Sequence, residues 1–186
     1  TALSDILQPD IQLIFIVVAT PSLTDGGYDH SQVDAVLKQL KEKPAPSQGC
    51  DLVVMCTTLP GYCNQVAPEL AAHNYSLSYN PEFIAQGNIV HDQQYPDQIL
   101  IGEANVAAGN KIEAVYRKMC LNTPTFCRMS RISAEITKLA TNCFLTTKIS
   151  FANSIGDLAT KVGGEPDKIL AAVGADSRIG SKYLGY

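Results

Sequence analysis

Hydrophobic residues follow two rhythms along this chain. Residues 11–22, IQLIFIVVATPS, are a nearly unbroken apolar run cut by Pro21, as expected of a strand buried on both faces of a parallel sheet. A polar stretch with a Gly-Gly turn at 26–27 comes next. Val33, Val36, Leu37 and Leu40 then recur at helical spacing, with Ser31 placed as N-cap. Residues 50–60, CDLVVMCTTLP, repeat the strand signature and again end on a proline. Residues 63–73 read as helix, 75–80 and 97–103 as strands, 104–120 as helix and 123–130 as a last extended piece. This alternation with buried strands predicts an α/β fold on a parallel sheet.

Past residue 130 the rhythm changes. Residues 133–162 contain no proline, and Ile136, Leu139, Cys143, Phe144, Ile149, Ile155, Leu158 and Val162 supply apolar faces. Glu135 suits the first turn of a helix and Gly163–Gly164 its end. At 1.5 Å per residue such a helix is about 45 Å long. That length suits an element that links domains or packs against a partner chain. A domain boundary is expected near residue 130, dividing residues 1–130 from 131–186. Residues 79–103, YNPEFIAQGNIVHDQQYPDQILIGE, fit neither class. They are too polar for a core strand and too apolar at the ends for a linker.

The 186 residues are 46% hydrophobic and 17% charged, enough for a substantial core, with a net charge of −4. No basic stripe is present, so nucleic acid is not an expected partner. No apolar run reaches membrane-spanning length and no signal peptide opens the sequence, so neither membrane association nor secretion is expected. Six cysteines occur without a C-x-x-C pair and with three histidines, which excludes zinc spacing; no metal is expected. The thiols are expected to be reduced, in a cytoplasmic protein. Cys143 reads as a small core residue.

Several residues could carry chemistry. Lys138 and Asn142, four apart, share one helix face. A lysine of lowered pKa can move a proton, and an asparagine amide can hold an oxyanion. On spacing alone, a solvated lysine beside a capping-type asparagine is the commoner reading. Glu82 follows Asn80–Pro81 on a stiff turn, suited to acid–base work or to holding water, although loop glutamates usually face solvent. Thr57 and Thr58, and likewise Thr20 and Pro21, end strands where open parallel sheets bind ligands; turn chemistry is the plainer reading. Arg178 could grip phosphate or sugar hydroxyls, or be a surface arginine. No G-x-G-x-x-G occurs.

In chain order, VVATPS…DGGYD, CTTLPG, NPEFIAQGNIVHD…PDQILIG, AEITKLATNCFLTTKISFANSI and DSRIGSKYL resemble the motifs of the UDP-glucose/GDP-mannose dehydrogenase family. The N-P-E-F segment is the most specific. The resemblance implies part of a Rossmann-like NAD domain (residues 1–130) and the long central helix of an all-α dimerisation domain (131–186). It implies NAD-dependent oxidation of a nucleotide-sugar C6 alcohol to the carboxylate in two steps through a cysteine thioester, in a homodimer joined by the long helix. UDP-glucose is the favoured substrate; a UDP-N-acetylhexosamine or GDP-mannose is the alternative. By the same resemblance Lys138 assists alcohol oxidation, Asn142 binds the oxyanion, Glu82 serves hydrolysis through water, and Thr58 supports that water or the substrate. Thr20, Pro21 and Thr57 border the cofactor. Phe83, Ile84, Ala85 and Gln86 lie over the sugar nucleotide, and Arg178 reaches substrate in a neighbouring subunit.

Departures from the family pattern are Gln86 where it has Glu, the unusual Asn88, and Ser154 where it has Glu. The Gly-rich NAD loop and the G-G-S-C-F nucleophile motif are not among these residues, so a chain of these residues alone is expected not to turn over substrate. The competing expectations are a β-hydroxyacid dehydrogenase, which also uses K-x-x-x-N on a long helix, and a non-catalytic binding or dimerisation fragment.

Overall fold

The computed structural model describes residues 10–84 and 87–186. Its elements run β1 (Leu13–Ile16), α1 (Ser31–Lys41), β2 (Cys50–Val54), α2 (Tyr62–Ala71), β3 (Tyr75–Tyr79), α3 (Ile89–Gln94), β4 (Gln98–Gly102), α4 (Val106–Met119), β5 (Thr125–Met129), α5 (Arg131–Val162) and α6 (Pro166–Gly174). Two compact units result, Thr1–Lys138 and Leu139–Tyr186. Helix α5 begins in the first and continues in the second.

The first unit is an α/β layer structure. Its five strands lie side by side in sequence order. Strands β1, β2 and β3 run parallel, and β4 runs parallel to β5. One difference from the expected sheet stands out: β3 meets β4 antiparallel, through the single pair Tyr79 and Gly102. The sheet is thus two parallel sets joined at a seam. Both sets carry the same apolar pattern, because each is covered on its faces, so the hydrophobic rhythm does not record the reversal.

Burial explains that rhythm. All five residues of β2 are buried. Leu52 and Val54 join Val33, Leu37, Leu40, Leu70 and Leu77 in one cluster, with α1 and α2. Val53 points the other way, to Ile99, Ile101, Ile112 and Tyr116, with α4. A strand covered on both faces has no polar side. β1 differs from expectation here. It is four residues long and only Ile16 is fully buried, because among the described residues it is an edge strand with one neighbour.

Local corrections follow the same physics. Ser31 is the first helical residue of α1 rather than its cap; its backbone N–H is received by the Asp29 carboxylate at 2.9 Å. The stretch before β4 that fitted neither class holds the short helix α3, which buries none of its residues and so leaves no periodic trace. The Gly-Gly turn forms as expected, Leu23 N–H donating to the Gly27 carbonyl at 2.8 Å.

The long helix forms from Arg131 to Val162. At its start it lies close on the sheet. A methyl group on Gly102 would stand 2.8 Å from Arg131 Cα and 2.9 Å from Ala134 Cβ. In the second unit Ala152, Leu170 and Leu184 form a small core, and Lys148 donates to the carbonyls of Ile179 and Gly180. Cys143, expected in a core, is exposed. The second unit's core draws on Ala152 and its neighbours one face away, so nothing in the described chain covers the Cys143 face.

Candidate active site

Strands β1, β2 and β3 end together. Ile16 pairs with Val54, and Val54 with Tyr79. The loops leaving these ends carry most of the residues expected to be functional, as open parallel sheets arrange them.

The first turns of α5 meet this edge with two buried charged side chains, Glu135 and Lys138. Glu135 is fully buried. Its Oε1 accepts from Thr58 Oγ1 at 3.0 Å and from the Cys63 amide at 2.9 Å. Its Oε2 accepts from the Gly61 amide at 2.6 Å. Helix α2 has no capping side chain of its own, and its N-cap is Gly61 with φ of 98°. That left-handed conformation suits glycine. Glu135 therefore serves as a cap supplied from more than seventy residues away, with its negative charge at the positive end of the helix. The thiol of Cys63 is pushed up by burial and then by the neighbouring Glu135, which makes it inert.

One turn on, the Lys138 ammonium donates to the Glu82 backbone carbonyl at 2.5 Å and sits 4.5 Å from the centre of the Phe83 ring. Burial lowers its pKa, and the Glu82 carboxylate opposes that shift. The Glu82 carboxylate accepts from Gln93 Nε2 at 2.8 Å, so α3 orients it. The loop is anchored by Asn80, whose side chain donates to the Leu100 carbonyl at 2.8 Å and accepts from the Tyr116 hydroxyl at 2.6 Å. Lys138, Glu82 and Phe83 thus form one cluster, and Thr58 joins its helix through Glu135.

The other expected residues are placed as follows. Thr58 is fully buried, with its hydroxyl committed to Glu135. Thr57 and Thr20 are partly exposed and Pro21 is exposed, beyond the ends of β2 and β1. Ile84 is exposed. Ala85 and Gln86 lie outside the described residues. Asn142 is exposed on α5 within the second unit. Arg178, also there, is exposed and bound twice by the Asp176 carboxylate, at 3.0 and 2.6 Å. Glu135 in this role escaped sequence reasoning. The available signal was a helix opening on Pro-Gly with no capping side chain nearby.

All six cysteines are free. No group of metal-ligating side chains occurs among the described residues, and no helix among them is long and apolar enough to cross a membrane.

Comparison with known proteins agrees with this geometry. Residues 4–120 match the NAD-binding domain of the UDP-glucose/GDP-mannose dehydrogenase family, and residues 132–185 match the central domain of that family. A UDP-glucose 6-dehydrogenase of Rickettsia typhi is 33% identical over 181 residues, covering 94% of this chain and 40% of the relative. A UDP-glucose dehydrogenase structure from Pyrobaculum islandicum superposes with a TM-score of 0.86 at 33% identity, over 95% of this chain and 42% of that one. A ternary complex of GDP-mannose dehydrogenase from Pseudomonas aeruginosa gives 0.82 at 27% identity, over 90% and 40%. This chain therefore spans about 40% of the length of the curated relatives it matches. The first of the two family models alone accounts for more than half of the residues, and the chain belongs to the UDP-glucose/GDP-mannose dehydrogenase family.

Proposed function

We propose that this chain is part of an NAD-dependent dehydrogenase that oxidises the C6 alcohol of a nucleotide sugar to the carboxylate, with UDP-glucose as substrate. The observation that carries this reading is Lys138. A buried lysine at the carboxyl edge of the sheet, held on the carbonyl of the N-P-E-F loop, is placed for proton transfer. Its lowered pKa favours the neutral amine that can take the proton of an alcohol.

Each residue then has a task. Lys138 accepts the C6 hydroxyl proton. Glu82, oriented by Gln93, holds the water that supplies the second oxygen. Phe83 and Ile84, with Ala85 and Gln86, cover the sugar nucleotide. Asn142 is assigned the oxyanion from the K-x-x-x-N spacing, and Arg178 the substrate. Thr58 acts through its bond to Glu135, which holds the end of β2 in shape. Thr20, Pro21 and Thr57 fit one side of NAD, being accessible at the matched ends of β1 and β2. The N-terminus of α2 is no phosphate cradle, since Glu135 fills it. When bound, NAD supplies the hydride acceptor.

The division into an NAD domain (residues 1–130) and a central helical domain (131–186) follows from this reading, as does a homodimer. Phe144, Phe151 and Leu158, seven apart on α5, are all exposed, which gives a stripe suited to a second copy. The six free thiols support a cytoplasmic setting. The test is a panel of UDP-glucose, UDP-N-acetylhexosamines and GDP-mannose offered to the intact protein with NAD, following formation of reduced nicotinamide. Turnover of UDP-glucose above the others is expected. Turnover of none, with NAD and nucleotide sugar both failing to bind, overturns the reading.

A further inference from the structure

Glu135 has no place in the reaction as assigned above, yet it is among the most completely buried charged groups of the chain. Burying a carboxylate is costly unless its oxygens are fully hydrogen-bonded. Here every close partner is a donor: Thr58 Oγ1 and the Cys63 amide on one oxygen, the Gly61 amide on the other. An amide in its place fails whichever way it turns. With its oxygen toward Thr58 and Cys63, its NH2 meets the Gly61 N–H. Reversed, its NH2 meets the Cys63 N–H. The position demands a group that only accepts.

Lys138 lies one turn along the same helix. Its ammonium is held by two things outside the helix, the Glu82 carbonyl and the Phe83 ring. Neither fixes the helix itself. The helix is fixed at this end by its close approach to Gly102, by Arg131, which donates to Asn64 Oδ1 at 2.9 Å and to the Leu77 carbonyl at 3.1 Å, and by the three hydrogen bonds of Glu135, the nearest of these anchors to Lys138 along the helix. We propose that Glu135 is a positioning residue for Lys138: it fastens the first turn of α5 to the loop after β2 and to the N-terminus of α2, and so keeps the lysine ammonium on the Glu82 carbonyl. The role in catalysis rests on the dehydrogenase reading; the positioning does not.

The test uses the intact protein with Glu135→Gln, Lys138→Met and the double variant, each checked for folding by thermal melting. Accessibility of Lys138 is read by amine acylation and peptide mass spectrometry, with Lys111 as the internal reference. Glu135→Gln is expected to raise Lys138 labelling about fivefold by local opening of the first turn of α5. It is also expected to lower kcat about tenfold with little change in KM, and to lower the residual rate of Lys138→Met by no more than about twofold. Unchanged Lys138 labelling overturns the proposal, as does a loss in the Lys138→Met background equal to that in the parent. Should Glu135→Gln not fold, Thr58→Val removes one donor of three; about a twofold rise in labelling supports the proposal and no rise overturns it. If the parent turns over no nucleotide sugar, the dehydrogenase reading fails, and the labelling alone decides the positioning role.

Discussion

Gly102→Ala isolates the contact on which the start of α5 depends. Gly102 does not need a left-handed backbone, so the substitution introduces no conformational strain. What it introduces is a methyl group 2.8 Å from Arg131 Cα, 2.9 Å from Ala134 Cβ and 3.3 Å from Tyr79 Cβ. Carbon atoms pack comfortably at about 3.5–4.0 Å, so the helix must retreat by about 1 Å. No flexible side-chain tip is available to give way, because the obstacles are a backbone Cα and two Cβ atoms, each fixed directly to the main chain. Overpacking of this kind costs about 1–3 kcal/mol. Retreat also stretches the Glu135 bonds to Thr58, Gly61 and Cys63, which places the expected loss near the top, about 3 kcal/mol. For a chain of this size that lowers Tm by about 6–12 °C. Urea unfolding followed by circular dichroism, with Gly185→Ala as control, measures it. A methyl on Gly185 meets nothing within 4 Å. A Gly102→Ala midpoint equal to that of the control would refute the close-approach argument.

Other outcomes can be checked alongside. Tyr116→Phe deletes the donor to buried Asn80 Oδ1 and should cost about 1–3 kcal/mol in urea unfolding, since the oxygen is left without that partner. Gly109→Ala places a methyl against the Glu103 carboxylate and Arg128 guanidinium; it should break that ion pair and cost about 1–2 kcal/mol, and removing the charges first should abolish the effect. Lys138 gives a pH signature. Its folded pKa lies below the unfolded 10.5, so between the two values the unfolded chain binds more protons and stability rises with pH. Lys138→Met should therefore gain most over the parent at neutral pH and lose that advantage as pH approaches 10.5; a constant gain across pH would contradict burial of the charge. Iodoacetamide on the native protein should modify exposed Cys143 before buried Cys50, Cys56 and Cys63, read by peptide mass spectrometry; slower reaction at Cys143 as protein concentration rises would mark a partner chain over that helix face.

Most elements were legible because each carries its own periodicity. The long helix could be read from its lack of proline and its 3.6-residue spacing. β2 could be read from a run covered on both faces. What could not be read has a common physical cause: it depends on partners far along the chain or leaves no periodic mark. Glu135 caps a helix begun at Tyr62, and local sequence shows only that the helix opens on Pro-Gly without a cap of its own, not which distant residue supplies it. Helix α3 buries nothing and so shows no stripe. The reversal between β3 and β4 leaves the same apolar pattern either way. Lys138 and Glu82 were legible as candidates through the K-x-x-x-N and N-P-E-F motifs, but the hydrogen bond from the lysine to the Glu82 carbonyl was not.

The sequential order of the strands has a consequence for how the protein comes to be folded. Among the described residues each strand pairs with the one synthesised just before it, so each of these contacts can form as soon as its second partner leaves the ribosome. None of these five strands must wait for a distant one, which keeps loop-closure costs low at each step. The loop at Gly61 waits more than seventy residues for the turn that carries Glu135, which completes the unit only when the start of α5 arrives. On this view the sheet is built strand by strand during translation, and the buried carboxylate closes it last.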